Sequence, residues 1–349
     1  MTTIHSETHS LINQAHSLYL KNFPTTTAFE RAIFFSWGCT IGDCGFCYMS
    51  TQPADKKPTE TKRSKESILA EFILAKNLGW DIGFFTGGIG VFTPAELEFM
   101  LNAATEIVGE KIWLSVGPLS KPLLQRYLPY IKGVVGSTET INPRLHKMVC
   151  PSKPLEPYER MFAAATELQL KKAMTFIVGM GETQQDLPLL INFITRHSID
   201  KIHVYSLIPQ EGTMFAQATI PSAEEQAWWI AQLRIAFPAL NIQAGIWEDR
   251  LEYIPLLLKA GANSLSKFRA TALFGTFQAA ELERQVQAAG RAFKGTLIAL
   301  PEVDWNEQIN ALSFSEELKQ KIGVKLFQYL HKMRGPIPLP AQSILGVIS

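Results

Sequence analysis

Short apolar runs rich in β-branched and aromatic residues recur along the chain, at residues 32–37, 82–86, 112–117, 133–137, 173–179, 201–207, 241–246 and 262–268. Their length and composition predict eight strands. Between them lie windows with helical spacing, at 65–78, 94–108, 157–168, 184–196, 223–237, 250–259 and 278–289, several opening on Ser, Thr or Pro as helices do. Strands alternating with helices imply a parallel sheet. Eight such units over about 240 residues match an α/β fold of the (β/α)8 barrel type, whose active site is built by the loops that follow the strands. A six-unit open barrel is the alternative. A helix at 10–21 precedes the first strand, and an amphipathic helix at 315–333 is expected to cover one end or edge of the barrel. The expected organisation is an N-terminal helical extension over 1–30, a barrel over 31–300, and a C-terminal helix and tail over 301–349. The Gly-Pro-Ile-Pro-Leu-Pro stretch from Gly335 reads as a loose tail. No repeat of 20–50 residues is present, and no second domain is evident.

Composition narrows the class without changing this picture. The 349 residues are 46% hydrophobic, enough for a sizeable core. With 33 basic and 32 acidic residues the formal net charge is +1, so no overall field favours nucleic acid or an anionic membrane. The N-terminus is polar, and no apolar run reaches the roughly eighteen residues of a membrane span. A cytoplasmic protein is expected. Four cysteines do not make a disulfide framework in a chain of this length. Three of them fall within nine residues, which suits metal ligation in a reducing compartment.

The first predicted strand ends at Trp37-Gly38, directly before Cys39-Thr-Ile-Gly-Asp-Cys44-Gly-Phe-Cys47. That order puts the thiols at the C-terminal mouth of the barrel. Gly38, Gly42 and Gly45 allow the backbone to wrap a compact inorganic core. Three thiolates leave one iron of a 4Fe-4S cluster open. The amino and carboxylate groups of S-adenosylmethionine can chelate such an iron, bringing the sulfonium against the cluster for one-electron cleavage. The alternative is a structural zinc site with Cys150 or a histidine as fourth ligand. Zinc sites usually pair Cys-x2-Cys with a second such pair, which this chain lacks.

On these residues the sequence resembles the radical S-adenosylmethionine superfamily, in particular the group containing biotin synthase, the iron-hydrogenase maturase and methylornithine synthase. The usual spacing there is Cys-x3-Cys-x2-Cys; here the first gap is one residue longer. The resemblance implies that Phe46 lies by the adenine, that Thr86-Gly87-Gly88 lets the methionine amino group approach bare backbone, and that Ser137 and Glu139 face the cofactor. Ile89 replaces a common acidic residue. By the same resemblance Arg160 meets the methionine carboxylate, a contact suited to a planar guanidinium; read without it, Arg160 is a solvated helix residue. Glu182, in a Gly-Met-Gly-Glu-Thr turn, either faces the cofactor or caps the following helix. Ile208-Pro209 to Thr213 and Ala260 to Asn263 match the sixth- and eighth-strand loops. The resemblance also implies a small-molecule substrate and an electron donor such as ferredoxin or flavodoxin.

Biotin synthase holds a second cluster with three barrel cysteines and an arginine. The matching positions here carry Phe85, Trp113 and Ala173, and residues 244–248 contain no arginine, although Arg250 is close. Phe85 and Trp113 are expected inside the barrel, filling that volume or walling an apolar pocket. Cys150, His146 and Tyr205 are candidate hydrogen or proton donors, with packing roles as the alternative for each; His203 should point the same way as Tyr205. The expected activity is hydrogen abstraction from a small organic substrate by a 5′-deoxyadenosyl radical, in cofactor biosynthesis. A sulfur-inserting enzyme of the two-component lipoyl synthase or biotin synthase type, hydrogenase-type cofactor maturation, and a non-catalytic zinc-stabilised scaffold are the alternatives.

Overall fold

The computed structural model describes residues 2–53 and 57–334; the tail from Gly335 lies outside the described residues. Eight parallel strands form the centre: β1 (Thr26–Phe34), β2 (Asp81–Thr86), β3 (Ile112–Ser115), β4 (Ile131–Glu139), β5 (Lys171–Val178), β6 (Lys201–Ser206), β7 (Asn241–Gly245) and β8 (Ser264–Ser266). Each pairs with its sequence neighbours, and β8 returns to β1 through Ala28 opposite Ser264 and Phe29 opposite Leu265. The barrel is therefore closed, and the open six-unit alternative does not apply. A ninth strand, β9 (Ala292–Lys294), pairs with Thr26–Ala28, ahead of the stretch where β2 joins β1 at Glu30.

All eight predicted strands are found, but the first begins at Thr26 and ends at Phe34 rather than spanning 32–37. Glu30 and Arg31 interrupt its apolar pattern. In the fold both charges are answered: Arg31 Nε donates to Glu71 on the outer side at 2.7 Å, and the buried Glu30 accepts from Lys201, Gln243 and Ser264 inside.

The helices are α1 (Thr2–Asn22), α2 (Lys65–Asn77), α3 (Pro94–Val108), α4 (Lys121–Tyr127), α5 (Pro143–Val149), α6 (Glu156–Glu167), α7 (Leu187–His197), α8 (Ala223–Ala236), α9 (Ile254–Lys259), α10 (Phe277–Ala288), α11 (Trp305–Asn310) and α12 (Glu316–Met333). Reciprocal capping at Thr93 with Glu96 and at Ser222 with Glu225 starts α3 and α8 by occupying backbone N–H groups that have no partner within the helix. The main core lies between this helical layer and the outer face of the strands. α1 packs on α8, and α12 lies on α2, where Arg63 Nη2 donates to Tyr329 Oη at 2.7 Å. Among the described residues no helix is long and apolar enough to cross a membrane.

Strand alternation corrects one expectation. Phe85 faces outward, with its ring 5.0 Å from Phe35 and 5.7 Å from Phe72. Its neighbour Phe84 turns inward and packs with Trp113, Val135 and Ala173. The interior at this level is thus an apolar plug, with Trp113 and Ala173 placed as expected and Phe84 in the role assigned to Phe85.

Candidate active site

The cysteine segment leaves β1 at the C-terminal end of the barrel and is tied to the loop after β2. Thr40 N donates to Ile89 O at 3.0 Å, and Ile89 N donates to Cys39 Sγ at 3.4 Å. Met49 N donates to Cys47 Sγ, also at 3.4 Å. Gly42 turns the chain in the left-handed region, with φ of 61°. Gly88 also serves the cysteine loop directly. A Cβ there would lie 1.6 Å from Gly38 O and 2.7 Å from Cys39 Cα, so its bare backbone is where the cysteine loop packs. Gly87 is filled in the same way by the Phe35 ring, and Thr86 O accepts from Phe35 N at 2.8 Å.

Behind the loop, Cys150 is buried with Val149, Met180 and Leu207 and packs against Cys44 and Phe46. A hydrogen bond from Cys150 lowers the Cys44 pKa, the direction that favours a thiolate. Burial pushes Cys47 up to about 11 in the protein alone. His146, on α5, is buried with Nε2 unpartnered, and burial brings its pKa down to about 4, so it is neutral near pH 7. Neither His146 nor Cys150 lines the main cavity.

Glu139 ends β4 with φ of 62°, rare for a residue with a side chain, and is buried. Its carboxylate accepts from Lys153 Nζ at 3.0 Å and from Thr175 Oγ1 at 2.9 Å. Lys153 is buried and stands 5.8 Å from the centre of the Phe46 ring; Glu139 raises its pKa against the opposing effect of burial. Ser137 is half-buried two residues before Glu139. Glu182 folds back onto its own turn, accepting from Gly179 N and from Met180 N at 2.9 Å, and burial raises its pKa. The capping box that follows belongs to Thr183 and Asp186, so of the two roles expected for Glu182 the helix cap is taken by other residues. Arg160 stands apart from the other expected site residues. It lies on the outer face of α6, exposed and paired with Glu156 one turn earlier, and the structure does not bring it to the cysteine loop.

Phe46 and Cys47 open onto a cavity of about 890 Å3 that runs into the barrel mouth. Its apolar walls include Phe34, Trp37, Tyr205 and Trp247. At its inner end Glu30 Oε2 accepts from Lys201 Nζ at 2.5 Å and Gln243 Nε2 at 2.6 Å, while Ser264 Oγ donates to Oε1 at 2.6 Å. His203 Nδ1 lies 2.7 Å from Gln243 Oε1, and burial lowers its pKa to about 3, so it is a neutral member of this network. His203 and Tyr205 do share the inner side, with rings 6.0 Å apart. Sequence reasoning missed Lys153, Lys267, Glu30 and Lys201. A charged residue inside a β-rich run, as at Glu30 and Lys201, was the available signal.

Among the described residues no three His, Cys, Asp or Glu side chains already form a metal cage. The donor set nevertheless fits an iron–sulfur cluster. It offers three soft thiolates on one loop, backbone N–H groups directed at two of the sulfurs, and an adjoining cavity large for a ligand pocket.

Residues 33–194 match the family model of the radical SAM superfamily, and the chain belongs to that superfamily. It is a radical SAM enzyme, and the family implies a 4Fe-4S cluster and S-adenosylmethionine. An uncharacterized protein of Methanocaldococcus jannaschii, MJ0597, is 33% identical over 338 residues, covering 92% of this chain and 93% of its own. Biotin synthase of Legionella pneumophila is 26% identical, over 74% of this chain and 84% of its own. In fold the chain is similar to methylornithine synthase (PylB), with a TM-score of 0.69 at 18% identity over 82% of this chain and 88% of that one. The FeFe-hydrogenase maturase HydG of Carboxydothermus hydrogenoformans gives a TM-score of 0.67 at 16% identity, over 94% and 83% of the two chains.

Proposed function

We propose that Cys39, Cys44 and Cys47 hold one 4Fe-4S cluster and that the adjoining cavity takes S-adenosylmethionine together with a small organic substrate, from which hydrogen is abstracted. The observation that carries this reading is the cysteine loop itself, pinned to the β2 loop and open to the cavity through Phe46 and Cys47. When bound, the cluster supplies the electron that cleaves the sulfonium and yields a 5′-deoxyadenosyl radical. The remaining tasks fall to this chain's residues. Phe46 offers a face for stacking, the Glu139–Lys153 pair fixes polar groups behind it, and the ring walls keep water from a reactive intermediate. The Cys150 thiol, packed on Cys44, is assigned a hydrogen bond to the ligand sulfur rather than contact with substrate. Tyr205 is the one proposed donor that lines the cavity.

The plug of Phe84, Trp113, Val135 and Ala173 favours hydrogen abstraction over sulfur insertion, because it offers no thiol for a second cluster. Iron analysis tests the reading. Anaerobic reconstitution should give about four irons per chain for a single cubane and a brown protein. Cys44→Ala should lose both iron and colour; a variant with wild-type iron would overturn the ligand assignment.

A further inference from the structure

Among the described residues, four charged side chains line the cavity: Glu30, Arg31, Lys267 and Arg269. Three are answered within the protein. Glu30 pairs with Lys201, Arg31 with Glu71, which also takes Arg63, and Arg269 with Glu248. Lys267 has no ion pair among the described residues; its ammonium instead stands 4.1 Å from the centre of the Tyr205 ring. Glu139 and Cys47 reach it only at longer range, and Glu139 already holds Lys153.

The position is built rather than incidental. Lys267 directly follows β8 with φ of 73°, a strained conformation for a side-chain-bearing residue and one that clusters at functional sites. On β7, a Cβ at Gly245 would lie 2.6 Å from Tyr205 Cδ1 and 3.3 Å from Lys267 Cγ, so bare backbone there gives both side chains their space. A cation in such a wall without a counter-charge calls for one from a ligand.

Building on the proposed radical site, we propose that Lys267 receives the carboxylate of the substrate, and that the substrate is a monocarboxylic acid with a hydrocarbon body. The single unpaired charge matches a monoanion. A phosphate monoester would bring a second negative charge, for which the described wall offers only Arg31, already held by the Glu71 it shares with Arg63, and Arg269, already held by Glu248. A zwitterionic amino acid would bring an ammonium, and both oxygens of Glu30 are already taken. Phe34, Trp37, Phe84 and Trp247 supply walls for an aliphatic or aromatic body. Tyr205, beneath the ammonium, keeps the acid end oriented.

Trp37 and Trp247 line the cavity and report on its occupancy by fluorescence. The full-length protein, reconstituted with its cluster and S-adenosylmethionine, is titrated with straight-chain and aryl-substituted monocarboxylic acids, each beside its primary amide. Matched phosphate monoesters and α-amino acids are run in parallel. At least one acid should bind about tenfold or more tightly than its amide, the factor expected of a charge-assisted contact. Lys267→Met should erase that preference and Lys267→Arg should keep part of it. The wild-type acid and amide comparison stands even if a variant fails to fold. No acid preferred over its amide, a preference that survives Lys267→Met, or tighter binding of the phosphates or amino acids would overturn the proposal. So would loss of S-adenosylmethionine affinity in Lys267→Met without any acid preference, which assigns the lysine to the cofactor. An acid preference with no 5′-deoxyadenosine formed on reduction supports Lys267 and sinks the radical site; 5′-deoxyadenosine with no acid preference does the reverse.

Discussion

Gly88→Ala is the perturbation whose consequence follows most directly from geometry. An added Cβ would sit 1.6 Å from Gly38 O, whereas an ordinary C···O contact is about 3.3–3.6 Å, so the two backbones must part by about 2 Å. No flexible side chain can absorb this, because all three obstructing atoms, Gly38 O, Gly38 C and Cys39 Cα, are main chain. Overpacking of this kind costs about 1–3 kcal/mol, which corresponds to a fall of about 2–12 °C in Tm for a large domain. The movement would also pull Cys39 from the Ile89 N–H and from its place beside the other thiols. Gly323→Ala is the control. Its Cβ meets only Ile309 Cδ1 at 3.6 Å, within a helix where alanine is favoured by about 0.5–1 kcal/mol. Calorimetry and iron analysis after anaerobic reconstitution should show lower Tm and depleted iron for Gly88→Ala, with neither change for Gly323→Ala. Full iron and an unchanged Tm in Gly88→Ala would refute the packing argument.

Lys153→Met should destabilise the protein by about 3–5 kcal/mol, because it strands the buried Glu139 carboxylate, and pairing it with Glu139→Gln should recover much of that loss in urea denaturation. If the two changes add without coupling, the pair is not the stabilising unit. Arg160→Ala removes only an exposed pair on one helix turn, so it should shift stability by less than about 0.5 kcal/mol and leave S-adenosylmethionine affinity unchanged in equilibrium dialysis. A large loss of affinity would return Arg160 to the site. His203 carries a pKa of about 3 in the fold against 6.5 ordinarily, so the unfolded chain takes up the proton first. The stability tied to its neutral form is complete above pH 6.5 and is lost as pH falls from 6.5 towards 3. His203→Gln should make the fall of stability with pH shallower in that window; equal slopes would remove His203 from the acid response.

Apolar periodicity made the barrel legible, because a strand buried on both faces has a short, dense signature that surrounding context does not alter. It failed where charge enters a strand. Glu30 and Arg31 hid the first half of β1, since pairing with Lys201 and Glu71 is a property of distant chain segments. Two adjacent phenylalanines could not be told apart without the register, and Phe84 rather than Phe85 proved to face inward. The cysteine loop was readable because its ligands are local. The cations were not: Arg160 sits on a matching motif but points to solvent, while Lys153 and Lys267 acquire their settings only when α5, β4 and β8 converge on one mouth. The short helices α4, α5 and α11 and the strand β9 are each at most seven residues, too brief for a periodic signal.

A cluster on the three-cysteine loop should generate a radical from S-adenosylmethionine. Reducing the anaerobically reconstituted protein with dithionite in the presence of S-adenosylmethionine, and quantifying 5′-deoxyadenosine, tests it most directly. 5′-Deoxyadenosine should form in the wild-type protein and be abolished in Cys47→Ala. Intact S-adenosylmethionine in a wild-type protein carrying its full iron, or equal product from Cys47→Ala, would contradict it.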